Sequence, residues 1–239
     1  MRYLLVIFAI LFVIFGVFYY RLTGNVAMDK SEVFIVRAVD GDTLETSDGQ
    51  KIRLLGINTP EKGMLGYEEA KIFTRNLAEN KSVKIETIGV DKYGRILAHV
   101  FVGGQSINQK ILKNGLGSLY YYEKDKYYNE MQKAEEFARV NNLGIWKESK
   151  NKNCIELIEL KYIEDGERCT NREVIRIKNS CSKEIMVTIK DDATHIYDEK
   201  IKSNSIFSKN FSCIWNDEGD SLFVWDDDGL ILFYRYPDA

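Results

Sequence analysis

The residues whose types and places could do chemistry lie close together in the first half of the sequence. Val39-Asp40-Gly41-Asp42-Thr43 puts two carboxylates beside a glycine at the end of an apolar run, a pattern that also makes an ordinary turn. Arg53 stands inside Ile52-Arg53-Leu54-Leu55, where an arginine either faces solvent or turns inward to read a phosphate. Asn58-Thr59-Pro60-Glu61 follows within a few residues, and Arg95 ends a later turn, Asp91-Lys92-Tyr93-Gly94. The 239 residues include only 2 histidines, His99 and His195, too few for a multi-histidine zinc site and a poor start for a histidine triad. Carboxylates, arginines and tyrosines must carry any reaction.

The surrounding pattern says what positions these groups. Val33 to Val39 alternates as a strand, Gly41-Asp42 breaks it, Asp48-Gly49 marks a hairpin, and Lys51 to Ile57 resumes the strand, which together make an antiparallel meander. After Thr59-Pro60 the period becomes helical, and Tyr67 to Glu79 places Ala70, Phe73 and Leu77 on one face. Val83 to Ile88 and Ile96 to Val102 read as two further strands. Ser106 to Asn114 is a short helix stopped by Gly115, and Tyr128 to Asn142 is a longer one stopped near Gly144. The expected architecture is α+β, a small mixed barrel of about five strands with three helices.

Charge is unevenly spread. Residues 31–147 carry 17 basic and 16 acidic side chains, whereas residues 148–239 carry 13 and 19. Affinity for nucleic acid rests largely on counterion release by Lys and Arg, so an acidic tail is a poor phosphate grip and any nucleic acid belongs to the middle segment. Tyr3 to Tyr20 is eighteen residues without a charge, bracketed by Arg2 and Arg21. As a helix it is roughly 27 Å long, enough for a hydrocarbon core of about 30 Å. It reads as a transmembrane anchor, or as a signal segment if it is cleaved; Asn25-Val26-Ala27 is a poor cleavage site. Cys154, Cys169, Cys181 and Cys213 all lie in the last ninety residues or so, which suggests two disulfides outside the membrane, with the pairing open, or equally well buried free thiols; the absence of a CxxC spacing makes a four-thiolate metal site a weak reading.

Taken in order and spacing, VDGDT, IRLLGINTPE, DKYGRILAHVF, NGLGSLYYY and KAEEFARVNNLGIW resemble the staphylococcal-nuclease-type thermonuclease family over residues 31–147. The resemblance implies an oligonucleotide/oligosaccharide-binding-type (OB) barrel and calcium-dependent hydrolysis of phosphodiester bonds in DNA and RNA. It assigns calcium to Asp42, Asn58 and the Thr59 carbonyl with Asp40 in support, the general base to Glu61, and the phosphate to Arg53 and Arg95. Tyr93 and one tyrosine of 120–122, taken as Tyr121, would line the nucleotide pocket. The family usually has aspartate where this chain has Asn58. An amide oxygen still coordinates calcium, but it brings one charge fewer, which predicts a higher calcium requirement that Asn58→Asp would lower. The alternative to an enzyme is a nucleic-acid-binding module tethered to the membrane; the presence of Arg53, Glu61 and Arg95 favours the enzyme.

Residues 147–153 read as a charged linker. Beyond it, residues 154–239 show short strands with turn signals about every ten residues, the pattern of an all-β sandwich. Glu173 to Asn179, Trp215 to Trp225 and Asp228 to Leu232 are similar to the lamin-tail domain, an immunoglobulin-like sandwich. That likeness implies a binding or tethering module with an unnamed partner. Asp226-Asp227-Asp228 reads as a solvated hairpin tip in preference to a cation site.

Overall fold

Alternation of β-branched and polar residues from Val33 onward builds a strand that buries one face, and the chain then coils around that face. The computed structural model describes residues 29–121, 123–162, 173–212, 214–216 and 219–236. The expected anchor at 3–20, together with Cys169 and Cys213, lies outside the described residues. Among the described residues no helix is long and apolar enough to cross a membrane.

The first unit comprises β1 (Asp29–Ala38), β2 (Thr43–Thr46), β3 (Lys51–Leu54), β4 (Ile57–Asn58), α1 (Tyr67–Ala78), β5 (Lys81–Val90), β6 (Ile96–Val102), β7 (Gln105–Ser106), α2 (Ile107–Lys113), β8 (Ser118–Leu119) and α3 (Tyr128–Val140). The large sheet runs β3-β2-β1-β5-β6-β7, and a further pairing of β3 with β6 closes it into a barrel. The closing pair is parallel, with Arg53 opposite Leu97, while the neighbouring pairs are antiparallel. Buried Asn108 on α2 secures the seam: its Oδ1 accepts from the Val100 amide at 3.0 Å and its Nδ2 donates to the Leu55 carbonyl at 2.8 Å. Ile35, Leu44, Ile52, Leu54, Val83, Ile85 and Val100 fill the barrel, and Ile107, Ile111, Leu112 and Met131 cap it from the helices. The barrel and its three helices match the sequence expectation.

The second unit has β9 (Ile155–Lys161), β10 (Glu173–Asn179), β11 (Ile185–Lys190), β12 (Ile196–Ile201), β13 (Ser205–Phe211), β14 (Ser221–Asp226) and β15 (Gly229–Arg235). A sheet ordered β13-β10-β9 shares one apolar core with a sheet ordered β12-β11-β14-β15. Cys154 and Cys181 form a disulfide across 27 residues, with their Cα atoms 5.1 Å apart, tying the entrance of β9 to the exit of β10. β13 was not expected. Its outward positions, among them Ile206 and Ser208, leave a weak alternation on an edge strand.

The supposed linker is corrected by the structure, because it is bonded along its length to the second unit. The Leu230 amide donates to the Lys147 carbonyl at 2.7 Å and the Ser149 amide donates back to the Leu230 carbonyl at 2.9 Å. A side chain at Gly229 would put its Cβ 2.3 Å from the Lys147 oxygen, so only glycine permits this approach. Asp226 is no free tip: its Oδ2 accepts from Ser149 Oγ and from Asn151 Nδ2, both at 2.7 Å. Ala138, Ile145 and Trp146 of the first unit share a buried cluster with Phe223, Trp225 and Leu230 of the second. Trp225 Nε1 donates to the Ile145 carbonyl at 2.9 Å. Arg235 grips buried Glu135 through two bonds, Nη1 to Oε2 at 2.6 Å and Nη2 to Oε1 at 3.1 Å.

Candidate active site

Asp40, Gly41 and Asp42 form the turn that carries the chain from β1 into β2. Gly41 is pressed so close to Thr59 that a Cβ there would meet Thr59 Oγ1 at 2.6 Å, and buried Thr74 of α1 donates to the Gly41 carbonyl at 2.7 Å. The helix thus pins the turn against the end of β4. Asp42, 7% exposed, accepts at Oδ2 from both the Thr59 amide and the Thr59 hydroxyl at 3.0 Å, and at Oδ1 from Thr43 Oγ1 at 3.2 Å. Asp40 Oδ1 accepts from the Asp42 amide at 3.1 Å. Burial, then the neighbouring Asp42 carboxylate, raises the Asp40 carboxyl above its ordinary value, in spite of hydrogen bonds to Asp42 and Thr43 and the charge of Arg53.

Arg53 turns inward. Its Nη2 lies 3.4 Å from Asp42 Oδ2 and donates to Asn58 Oδ1 at 3.3 Å, and its Nη1 donates to the Leu54 carbonyl at 2.7 Å. Of the two readings of an arginine in an apolar strand, the structure selects the inward one. Asp42, Arg53, Asn58 and Thr59 therefore meet at one point, where the β1–β2 turn faces β4. Glu61 is exposed on the turn that follows β4.

The remaining residues stand further out. Arg95 lies two residues before Leu97, the partner of Arg53 across the parallel pair, so their Cα atoms are roughly 8 Å apart. Its Nε donates to Asp91 Oδ2 at 2.7 Å and its guanidinium lies 5.4 Å from the Tyr93 ring centre. Although partial burial works the other way, bonds from the Arg95 amide and guanidinium hold the Asp91 carboxyl below its usual value. Tyr93 is 71% exposed at the hairpin tip, open to a base arriving from solvent. Tyr121 is committed elsewhere. Its ring covers Gly56, stacks edge-on with Tyr128 at 5.4 Å, and its hydroxyl donates to Asp125 Oδ1 at 3.2 Å.

One part of the site comes from the second unit and has no counterpart in the sequence reading. Asn58 Nδ2 donates to the Asp192 carbonyl at 2.7 Å and to the Ala193 carbonyl at 2.8 Å, in the turn between β11 and β12. Lys190, buried beside that turn, has its ammonium drawn below the usual lysine range by burial, with Asp191, Asp192, Glu61 and Asp220 pulling the other way. These contacts link residues 134 and 135 positions apart, and no local pattern signals them.

The donor chemistry fits a hard divalent cation. Asp42 and the Asn58 amide oxygen both lie against Arg53, one from the β1–β2 turn and one from β4, and Asp40 stands beside Asp42 with its carboxyl raised first by burial and then by the Asp42 charge. Among the described residues no group of three His, Cys, Asp or Glu side chains could hold a metal, so neutral oxygens would have to complete the shell. Asp42, Asp40, Asn58 Oδ1 and the Thr59 carbonyl are the groups that could supply it.

The family described as staphylococcal nuclease homologue matches residues 51–148. A thermonuclease of Staphylococcus intermedius is 35% identical over 130 residues, covering 49% of this chain and 77% of that protein. The chain belongs to the staphylococcal nuclease family. A thermonuclease of Staphylococcus hyicus is 33% identical over 124 residues, 47% of this chain and 73% of that protein. A prophage-derived endonuclease of Bacillus subtilis is 37% identical over 134 residues, 50% of this chain and 45% of that protein. Within the staphylococcal nuclease match lie Arg53, Asn58, Thr59, Glu61 and Arg95; Asp40 and Asp42 stand just ahead of it. The match ends at Glu148, before the sandwich begins.

Proposed function

We propose that this chain is a calcium-dependent nuclease, anchored in a membrane, that hydrolyses phosphodiester bonds of DNA and/or RNA with low sequence specificity. By family it is a phosphodiester-hydrolysing nuclease. The observation that carries the finer reading is the convergence of Asp42, Arg53, Asn58 and Thr59 on one buried point beside exposed Glu61. Glu61 would draw a proton from the attacking water, which its exposure admits. Arg53 would exchange its bond to Asn58 for the scissile phosphate, where a planar fork matches two phosphate oxygens and neutralises charge growing in the transition state. Arg95 would approach from the neighbouring strand, its stem braced by Asp91. Bound calcium would supply positive charge against the phosphate, held by Asp42, Asp40, Asn58 and Thr59. Tyr93 is the better candidate to stack on a base, and Tyr121 would serve by packing behind the site.

Anchoring is supported by the uncharged run at 3–20 and an outward-facing placement by the disulfide of the sandwich domain. The sandwich is read as lamin-tail-like, a tethering module for a partner yet to be identified; what supports this is the packing of a three-stranded on a four-stranded sheet.

The test is cleavage of single-stranded DNA and of RNA by the full chain, with calcium, with a chelator, and with Glu61→Gln. Cleavage that needs calcium and falls by at least about a hundredfold in Glu61→Gln is expected. A folded protein that binds nucleic acid in calcium and never cuts it would refute the reading and leave a tethered binding module.

A further inference from the structure

Asn58 is bonded on both sides of its amide. Its two hydrogens go to the carbonyls of Asp192 and Ala193 at 2.7 and 2.8 Å, and its Oδ1 accepts from Arg53 at 3.3 Å. The opposite orientation is excluded by chemistry. Turning the amide over would press Oδ1 onto two carbonyl oxygens and aim N–H groups at a guanidinium.

The two carbonyls are themselves fixed. Buried Lys190 donates from Nζ to the Ala193 carbonyl at 2.5 Å and to the Asp191 carbonyl at 3.0 Å. Asp191 Oδ1 accepts from the Ala193 amide at 3.1 Å and the His195 amide at 3.0 Å, and Asp220 Oδ1 accepts from the Asp192 amide at 3.1 Å. The Ala193 oxygen thus receives Lys190 on one lone pair and Asn58 on the other. Behind the turn, the shared core and the Arg235–Glu135 pair hold the two units together.

Resting on the reading of Asn58 as a metal-ligand position, we propose that the sandwich domain is a working part of the nuclease centre: its Lys190–Ala193 turn positions Asn58 so that the amide oxygen faces Arg53, the partner of Asp42, and Lys190 is the positioning residue that fixes the turn. The proposal also explains the amide. An aspartate has no hydrogen to give either carbonyl, so the residue that weakens the ligand charge is the one that the second unit can hold.

The full chain, labelled with nitrogen-15, kept in detergent and free of metal, gives the first readout. The Asn58 side-chain amide pair, assigned by its loss in Asn58→Ala, should exchange with solvent at least about tenfold more slowly than exposed side-chain amides. In Lys190→Met it should shift and lose that protection. The second readout is calcium binding by calorimetry with no substrate present. Loss of a group that orients a ligand typically weakens metal affinity by about 10- to 100-fold, so Kd should rise about tenfold in Lys190→Met, and the double variant should bind no worse than Asn58→Ala alone. An unchanged amide pair in Lys190→Met, or losses that add in the double variant, would overturn the proposal. Should Lys190→Met not fold, Asn58→Ala tests the same clamp from the other side. The Asp192 and Ala193 amides should then exchange about tenfold faster than in the parent, and unchanged exchange overturns the clamp. None of these readouts needs cleavage. A parent chain that passes them and cuts nothing loses the nuclease reading and keeps the positioning of a calcium-binding Asn58 by the Lys190–Ala193 turn.

Discussion

Replacing Arg235 by methionine would remove both bonds to Glu135 Oε1 and Oε2 and leave that carboxylate buried at the junction of the two units, with the Leu119 amide, 2.7 Å from Oε1, as its remaining donor. Breaking a buried pair from one side costs about 3–5 kcal/mol. Arg235 is partly exposed at 23% of its side-chain surface, which places the cost at the lower end of that range. The expected loss is therefore about 3 kcal/mol at pH 7. For a fold of this size that is a fall of roughly 6–12 °C in melting temperature. Glu135→Gln combined with Arg235→Met should recover most of the stability, because the amide keeps an oxygen for Leu119 and carries no charge. Thermal unfolding of the parent, the single and the double variants at pH 7 measures all of this. A single variant that melts within about 2 °C of the parent at pH 7, or a double variant less stable than the single, would refute the argument.

Three further outcomes are expected. Asn58→Asp, unfolded thermally in chelator, should lose about 2–4 kcal/mol, from two buried hydrogen bonds and a carboxylate set against two carbonyls; an equal or higher melting temperature without metal would contradict this. In calcium the added ligand charge opposes that loss, so the metal-free protein is the cleaner test. Asp192 is pushed up to about 8, first by burial and then by Asp220, so the folded chain keeps a proton that the unfolded chain releases near pH 4. Stability should fall as pH rises between those values, and Asp192→Asn should flatten that decline and be the more stable protein at pH 8; parallel pH profiles would count against it. Exchanging Cys154 and Cys181 for serine opens a crosslink spanning 27 residues and should cost about 3–4 kcal/mol on the chain-entropy account, checked by denaturant unfolding.

Local rules made most of the barrel legible. The strands around Ile35, Ile52, Ile85 and Val100 alternate, the helices carry their stops at Gly115 and Gly144, and the Asp40–Asp42 turn announces itself by composition. What sequence could not supply was direction and distance. From its strand alone Arg53 read as solvent-facing or inward, and only the family resemblance pointed it at a phosphate; the structure turns it inward against Asp42 and Asn58. Asn58 read as a calcium ligand one charge short and nothing more, because the carbonyls that take its hydrogens belong to a turn more than 130 residues later. Residues 147–153 looked like a tether because charged and polar residues dominate there, yet their backbone groups pair with β15 and the Ser149 and Asn151 side chains bond Asp226. Tyr121 is given to the nucleotide pocket by the family resemblance; its hydroxyl donates to Asp125.

The placement of the tryptophans decides what an optical experiment on this chain can see. The sequence has 3, and none is in the barrel wall. Trp146 packs against Phe223 and Phe233 with ring centres 5.8 and 5.0 Å apart, Trp225 stacks on Phe223 at 4.9 Å, and Trp215 meets Phe211 at 4.9 Å inside the sandwich. Indole emission is therefore a gauge of the seam and of the sandwich. Barrel melting that left the seam shut would be dark in that channel and would have to be followed through tyrosine. A coincident change in both signals would mark the two units as one cooperative block.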